Sequence, residues 1–377
     1  MSEDHRRPAQ YTSERDDRLR RWLGTTVRSY SPALGPVLAD HGIDRPRRAT
    51  VDALRALPIV DVSDLGDGRR HVLEPGEEGF GRSAALSLQV RFLLADVTGN
   101  RDDFARRHID PRFRPVLWTQ EPTSAGTRFV ANAATDLDRL ATLGRRGWAT
   151  SGVRADDRVL LIDDGTAGTV HWQMLLGCRN AGIALLVANV DDGRRLLADA
   201  RPTVVAGPVD AVVSLAAAFD SSVRAVCVDV GDDPDLVLES DLPVARWWTP
   251  PAARAAWVAC PGGDGFHTWP EDELVEVVDG SLVWSAVGWH GSVWLRVDTG
   301  VPVALHESVC PTCDRTTPRA RAGVASCRRR GRCPARPPPS PPRPRTRRRP
   351  HRGRGRARPK TGRSIARSHR RPYPSGR

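Results

Sequence analysis

The chain has 377 residues, 40% of them hydrophobic, and a formal net charge of +12 at pH 7. That much apolar material supports one large core or two or three smaller ones and excludes a wholly disordered chain. The charge is unevenly placed: residues 321–377 hold 21 Lys and Arg and no Asp or Glu, so residues 1–320 carry −9.

Residues 1–20 are charged and lack an apolar run, which excludes a signal peptide and reads as a frayed start. No stretch of about 18 apolar residues occurs, which excludes a membrane-spanning helix and makes the cytoplasm the expected location. Residues 19–43 have helical apolar spacing, with Ser31-Pro32 starting a second helix and Gly42 stopping it. Residues 50–57 read as a short helix, 60–82 as loop, and 84–98 as either helix or strand. Thr135 to Asp138 resembles a capping box that opens a helix running to about Trp148.

Strands are expected at 158–162, 183–190, 203–206 and 225–230, with helices at 168–181, 193–200 and 209–219 between them. Alternation at this pitch predicts a parallel sheet flanked by helices. The texture then changes. Residues 273–278 and 282–286 flank Asp279-Gly280, a turn pair that favours a hairpin, and 291–297 reads as a third strand. Seven Trp lie between Trp247 and Trp294 and are expected to pack this small sheet. The fold class is therefore α/β: a parallel sheet with flanking helices, a small antiparallel β subdomain and a disordered C-terminal tail. The expected organisation is a flexible 1–18, a body over 19–245, a β subdomain over 246–320 and a disordered 321–377. That last stretch is Arg, Pro, Gly, Ala and Ser with few large apolar residues, so it cannot offset its ordering entropy. Phosphate neutralisation makes nucleic acid or an anionic membrane the partners its charge would suit, with nonspecific, salt-sensitive nucleic-acid contact the expected one and no membrane partner expected.

Cys260, His267, Cys310 and Cys313 are the most informative residues. Three thiols and an imidazole, two of the thiols in Cys-x2-Cys spacing, fit a structural zinc site; the competing reading is a buried thiol and a loop histidine. His306 competes as the fourth ligand, Cys327 and Cys333 lie in the tail, and Cys178 and Cys227 read as core. His171 opens a helix at the carboxyl end of a strand, where open α/β sheets bind ligands. It reads either as pocket lining or as an ordinary helix-start residue.

Taken in order, Tyr30-Ser-Pro-Ala-Leu-Gly-Pro, Leu54-Arg-Ala-Leu-Pro, Gly152-Val-Arg-Ala-Asp-Asp-Arg, Pro202-Thr-Val-Val-Ala-Gly-Pro and the Cys/His segment make the chain resemble phenylacetate-CoA ligase-like members of the adenylate-forming acyl-CoA synthetase superfamily. The resemblance covers roughly residues 19–319. It implies activation of a carboxylic acid with ATP and Mg, transfer to CoA, and a structural zinc on the Cys/His element. Thr123, Ser124, Gly126 and Thr127 take the place of the phosphate cradle, with Arg128 beside them; Gly207 shapes the nucleotide pocket and Trp247 takes the adenine-stacking position. The magnesium-binding glutamate falls on Pro251 and the ribose-binding aspartate on Val301, with Asp298 its nearest substitute. The catalytic lysine has no counterpart: Lys360, in the tail, is the chain's only lysine, and the lid expected after Arg319 does not follow the family pattern. Two functions are implied, an AMP-forming acyl- or aryl-CoA ligase with degenerate ATP motifs, or a catalytically silent, zinc-stabilised relative that binds a ligand or partner.

Overall fold

The structure, a computed structural model, describes residues 6–74, 86–100, 103–104, 110–123, 126–165 and 168–322. Ser124 and the segment from residue 323 onward, with Cys327, Cys333 and Lys360, lie outside these. In chain order the helices are α1 (Pro8–Arg21), α2 (Arg28–Tyr30), α3 (Leu34–Asp40), α4 (Val51–Arg55), α5 (Leu86–Val97), α6 (Asp110–Phe113), α7 (Ala134–Thr150), α8 (Thr169–Ala181), α9 (Val190–Ala200) and α10 (Val209–Leu215). The strands are β1 (Val60–Asp61), β2 (Pro115–Thr123), β3 (Gly126–Ala133), β4 (Arg158–Ile162), β5 (Ala184–Ala188), β6 (Val204–Pro208), β7 (Ala225–Asp229), β8 (Val244–Trp248), β9 (Trp257–Ala259), β10 (Phe266–His267), β11 (Glu273–Val278), β12 (Ser281–Ala286), β13 (Val297–His306) and β14 (Arg319–Ala322). Among the described residues no helix is long and apolar enough to cross a membrane.

The expected α/β alternation is present. β5, β4, β6, β7 and β8 lie side by side and pair in parallel. The chain leaves β4 in one direction to reach β5, then crosses back over it to reach β6. β4 is therefore a topological switch point, and the carboxyl ends of β4, β6 and β7 open together there. Two helix pairs pack on the sheet, α7 with α8 and α9 with α10. The first pair meets at Gly144 and Gly177, each without room for a Cβ: one on Gly144 would collide with the Gln173 carbonyl oxygen.

The antiparallel strands carry the same sheet onward. Its order continues from β8 through β9, β10, β14, β13 and β12 to β11, so the hydrogen-bonded ladder joins the expected subdomain to the parallel strands. Asp279 and Gly280 take positive φ at the β11–β12 turn, as an Asp-Gly hairpin demands. All seven Trp from Trp247 to Trp294 are at most 1% exposed. Glu273 is buried among them, accepting from Trp257 Nε1 at 2.8 Å, Trp284 Nε1 at 2.6 Å and the Trp269 amide at 2.7 Å; burial pushes its carboxyl up to about 8.

Several expectations are corrected. The start is not frayed from Pro8 on: α1 buries Tyr11 and Leu19, and Trp22 Nε1 donates to the Trp289 carbonyl at 2.7 Å. Of residues 84–98, expected as either helix or strand, Leu86–Val97 form a helix, α5. α7 begins at Ala134, one residue earlier than the Thr135 box, and Asp136 rather than Asp138 reaches back to the Ala133 amide at 3.0 Å. The third antiparallel strand starts at Val297 rather than at 291, because Gly291 to Ser292 is spent contacting β3: the Ser292 amide donates to the Ala131 carbonyl at 2.9 Å.

Candidate functional site: a strand-end cavity and a Cys/His cluster

A cavity of about 920 Å³ opens at the carboxyl ends of β4, β6 and β7. Strand-end residues Ile162, Gly207, Pro208 and Asp229 form one wall, the start of α8 with Thr169 and His171 a second, and the β2–β3 hairpin with Gln120, Glu121, Thr123 and Arg128 a third. Gly207 is required there. Its φ is +142° and a Cβ would stand 2.7 Å from the Ile162 carbonyl oxygen, so only glycine lets β6 turn beside β4.

The hairpin is held in place by a buried cation. Arg254 is 1% exposed. Its Nη2 donates to the Ala131 carbonyl at 2.9 Å and to Asn132 Oδ1 at 2.6 Å, and its Nη1 donates to the Ser292 carbonyl. The guanidinium also lies over the Trp289 ring, 4.7 Å from its centroid, and 3.8 Å from Asp136 Oδ2. A planar guanidinium fork meets these acceptors in fixed directions that a compact ammonium does not reproduce.

Inside the cavity Glu121 and Arg128 face each other across the hairpin, 3.7 Å apart. Burial raises Glu121 to about 6, opposed by Arg128 and Arg254. Asp229 is likewise raised to about 6, first by burial and then by repulsion from Asp164 and Asp232, while the Gly231 amide, 3.0 Å away, holds it down. Burial lowers His171, so the imidazole facing the cavity is neutral at pH 7. Glu121 Oε1, Arg128 Nε and Thr249 Oγ1 are buried lining atoms that find no hydrogen-bond partner in the protein.

The second site is the Cys/His cluster. Cys260 follows β9, His267 ends β10, and Cys310 and Cys313 lie on the turn between β13 and β14. Their ligand atoms all fall within 4.8 Å of one another. Cys260 and Cys310 Sγ are 3.8 Å apart, and Cys313 Sγ is 3.4 Å from His267 Nε2. Tetrahedral zinc with Zn–S of about 2.3 Å sets sulfurs about 3.8 Å apart, so the donor set and spacing fit that ion. His267 Nδ1 bonds Thr317 Oγ1 at 2.9 Å, turning Nε2 toward the thiols, as an outer partner of a metal-bound histidine does. The Asp314 amide donates to the Cys310 carbonyl at 2.9 Å, closing the knuckle. Cys313 is held far below an ordinary thiol by hydrogen bonding from Cys260 and His267. His306, the competing ligand, is exposed and is not among the converging side chains.

The structure separates the remaining sequence-derived residues into two groups. Thr123 and Gly207 line the cavity, as does Pro251. Gly126 and Thr127 are exposed at the end of the β2–β3 hairpin, where Thr123 Oγ1 donates to the Gly126 carbonyl at 3.0 Å; Thr123, Gly126 and Thr127 are paired strand residues. Trp247 does not reach the cavity. It is fully buried, its ring centroid 5.1 Å from that of Trp148, and it donates to Ser151 Oγ at 3.0 Å. Asp298 is also not in the cavity lining: it sits on β13, accepting from Ser281 and from the Gly300 amide at 2.9 Å. Cys178 and Cys227 are core thiols, each pushed up to about 12 by burial. Glu121, Asp229 and Asp232 are lining residues the motifs missed. The signal available was positional, since Asp163-Asp164 and Asp229 with Asp232-Asp233 sit where two predicted strands end.

The architecture is an open α/β sheet with its cavity at a switch point, the crevice in which sheets of this class bind ligands. No family model matches the chain, and no curated protein matches it in sequence. Among solved structures it is similar to 2-hydroxyisobutyryl-CoA ligase with 2-HIB-AMP and CoA in the thioesterification state, at 14% identity and a TM-score of 0.61, over 84% of this chain and 68% of that one. The open conformation of that ligase, also with 2-HIB-AMP and CoA, matches at 14% identity and a TM-score of 0.59, over 80% of this chain and 71% of that one. The chain has the fold of the adenylate-forming acyl-CoA ligases.

Proposed function

We propose that the chain is a zinc-stabilised, ligand-binding relative of the adenylate-forming ligases that holds a carboxylic acid in the strand-end cavity without adenylating it. One observation carries this: among the described residues the cavity is lined by a single guanidinium, Arg128, and by Pro251 at the position the resemblance gives to the magnesium-binding glutamate. Proline offers no side-chain oxygen to a cation. Arg128 is already paired to Glu121, and five carboxylates share the lining. With Trp247 in the core and Asp298 outside the lining, the residues present do not fit ATP by the family's plan.

The chemistry left to the cavity is binding and orientation. Arg128 and Thr249 offer donors to a carboxylate, and the uncharged His171 leaves that carboxylate uncompensated on the α8 side. The Cys/His cluster, with four protein ligands and no open position, serves as a structural centre. The second reading, an ATP-dependent acyl-CoA ligase, draws on the fold it shares with a ligase crystallised with an acyl-AMP and CoA. Pyrophosphate release with a panel of aryl and acyl acids, together with ATP-binding calorimetry, separates the two. The expected result is no release above background. Tight ATP binding accompanied by release would overturn the silent reading.

A further inference from the structure

The charges of the strand-end cavity are segregated. Arg128 stands with Glu121 on the hairpin wall, whereas Asp164, Asp210, Asp229 and Asp232 follow the ends of β4, β6 and β7. Arg128 is 3% exposed, yet its Nε finds no acceptor, and Thr249 Oγ1 beside the same space finds no partner. A buried donor left unbonded destabilises the empty site, and an anionic ligand group would satisfy it. At the strand ends, Asp164 and Asp232 are close enough to Asp229 to raise its carboxyl by repulsion, so a positive charge placed among them is favoured. A bare metal ion does not suit that position. Among the described residues, the Cys260–Cys313 cluster is the only group of three or more such side chains whose ligand atoms converge, and the aspartates lie spread along three strand ends. Spread carboxylates suit an organic cation, which needs no tight coordination shell. Leu161, Ile162, Val170 and Met174 supply apolar wall.

We propose that the cavity selects a zwitterionic acid: a carboxylate held by Arg128 and Thr249, an ammonium group facing Asp229 and its neighbours, and an apolar body between them. This deepens the reading above by naming the class of acid, and it rests on that reading only for where the ligand sits.

The test is titration calorimetry of the full chain with three compounds sharing one ring: phenylalanine, its deaminated acid 3-phenylpropanoate and its decarboxylated amine phenethylamine. Phenylalanine is expected to bind about tenfold tighter than either, the worth of one charged hydrogen bond. Asp229→Asn should lower phenylalanine affinity about tenfold and leave 3-phenylpropanoate unchanged, and the exposed Asp232→Asn should act in the same direction without touching the core. Arg128→Gln should weaken both acids and spare phenethylamine. If 3-phenylpropanoate binds as tightly as phenylalanine, or phenethylamine does, or none of the three binds, the proposal is overturned. Pyrophosphate release is read separately: equal affinities would remove the zwitterion preference and leave acid binding standing, whereas release would remove the silent reading and leave the preference standing.

Discussion

Removing one half-buried sulfur tests the metal centre. Cys313 is the most accessible of the four ligands, so in a metal-free protein Cys313→Ala deletes one partly exposed atom and costs under about 1 kcal/mol. With zinc bound, the ion ties Cys260 and His267 to Cys310 and Cys313 across a loop of about 50 residues. Closing such a loop removes denatured-chain entropy worth roughly 4 kcal/mol by the cross-link model, before any bond enthalpy. For a body of this size that corresponds to a fall in Tm on the order of 10 °C. The assay is thermal unfolding of the full chain and of Cys313→Ala, each with and without a strong chelator, beside elemental analysis for zinc. The full chain is expected to hold one zinc and to lose about as much Tm to the chelator as to the mutation, and the variant to be insensitive to chelator. A full chain that purifies with far less than one metal, or unfolds at the same temperature with chelator present, would refute the reasoning.

Arg254→Met should cost about 3–5 kcal/mol in urea unfolding, because it removes the counter-charge of buried Asp136 and the donor shared by the Ala131 and Ser292 carbonyls and Asn132. Gly144→Ala should cost about 3 kcal/mol or more by the same measurement, since the rigid backbone of α8 occupies the place of the new methyl group. Glu273 has its carboxyl raised to about 8, so its neutral form stabilises the fold fully below the ordinary carboxylate range. That contribution is lost as pH climbs through 8. Urea midpoints at pH 5 and pH 8.5 should fall in that order, and Glu273→Gln should flatten the difference.

The parallel half was legible because its periodicity is local. Each strand from β4 to β7 is a short apolar run between helices whose polar faces mark their ends, and β4 and α8 begin and end within a residue of expectation. The convergence of the Cys/His side chains was legible for a similar reason: thiols at Cys-x2-Cys spacing have few other uses. What was missed depends on contacts distant in sequence. The β2–β3 hairpin looked like a phosphate loop because Thr123 to Thr127 carries the right hydroxyls, while what makes it a hairpin is Arg254 and Ser292, more than a hundred residues away. Trp247 failed as a nucleotide residue because the absence of a Cβ on Gly147 lets its ring into the core, a fit no spacing reveals. The acidic cavity emerged only when β4, β6 and β7 were laid side by side.

The continuous ladder has a practical meaning for anyone dividing this protein. A cut after residue 245 falls inside β8, which pairs in parallel with β7 on one side and antiparallel with β9 on the other. Within the second half the ladder narrows to strands of only two and four residues, β10 and β14, and the Cys/His cluster lies at that step. Neither half brings its own edge: each would expose a raw row of amides and carbonyls and the Trp-rich surface behind it. An ion held by the cluster would rivet the sheet at that step, and fragments divided at residue 245 should aggregate unless expressed together.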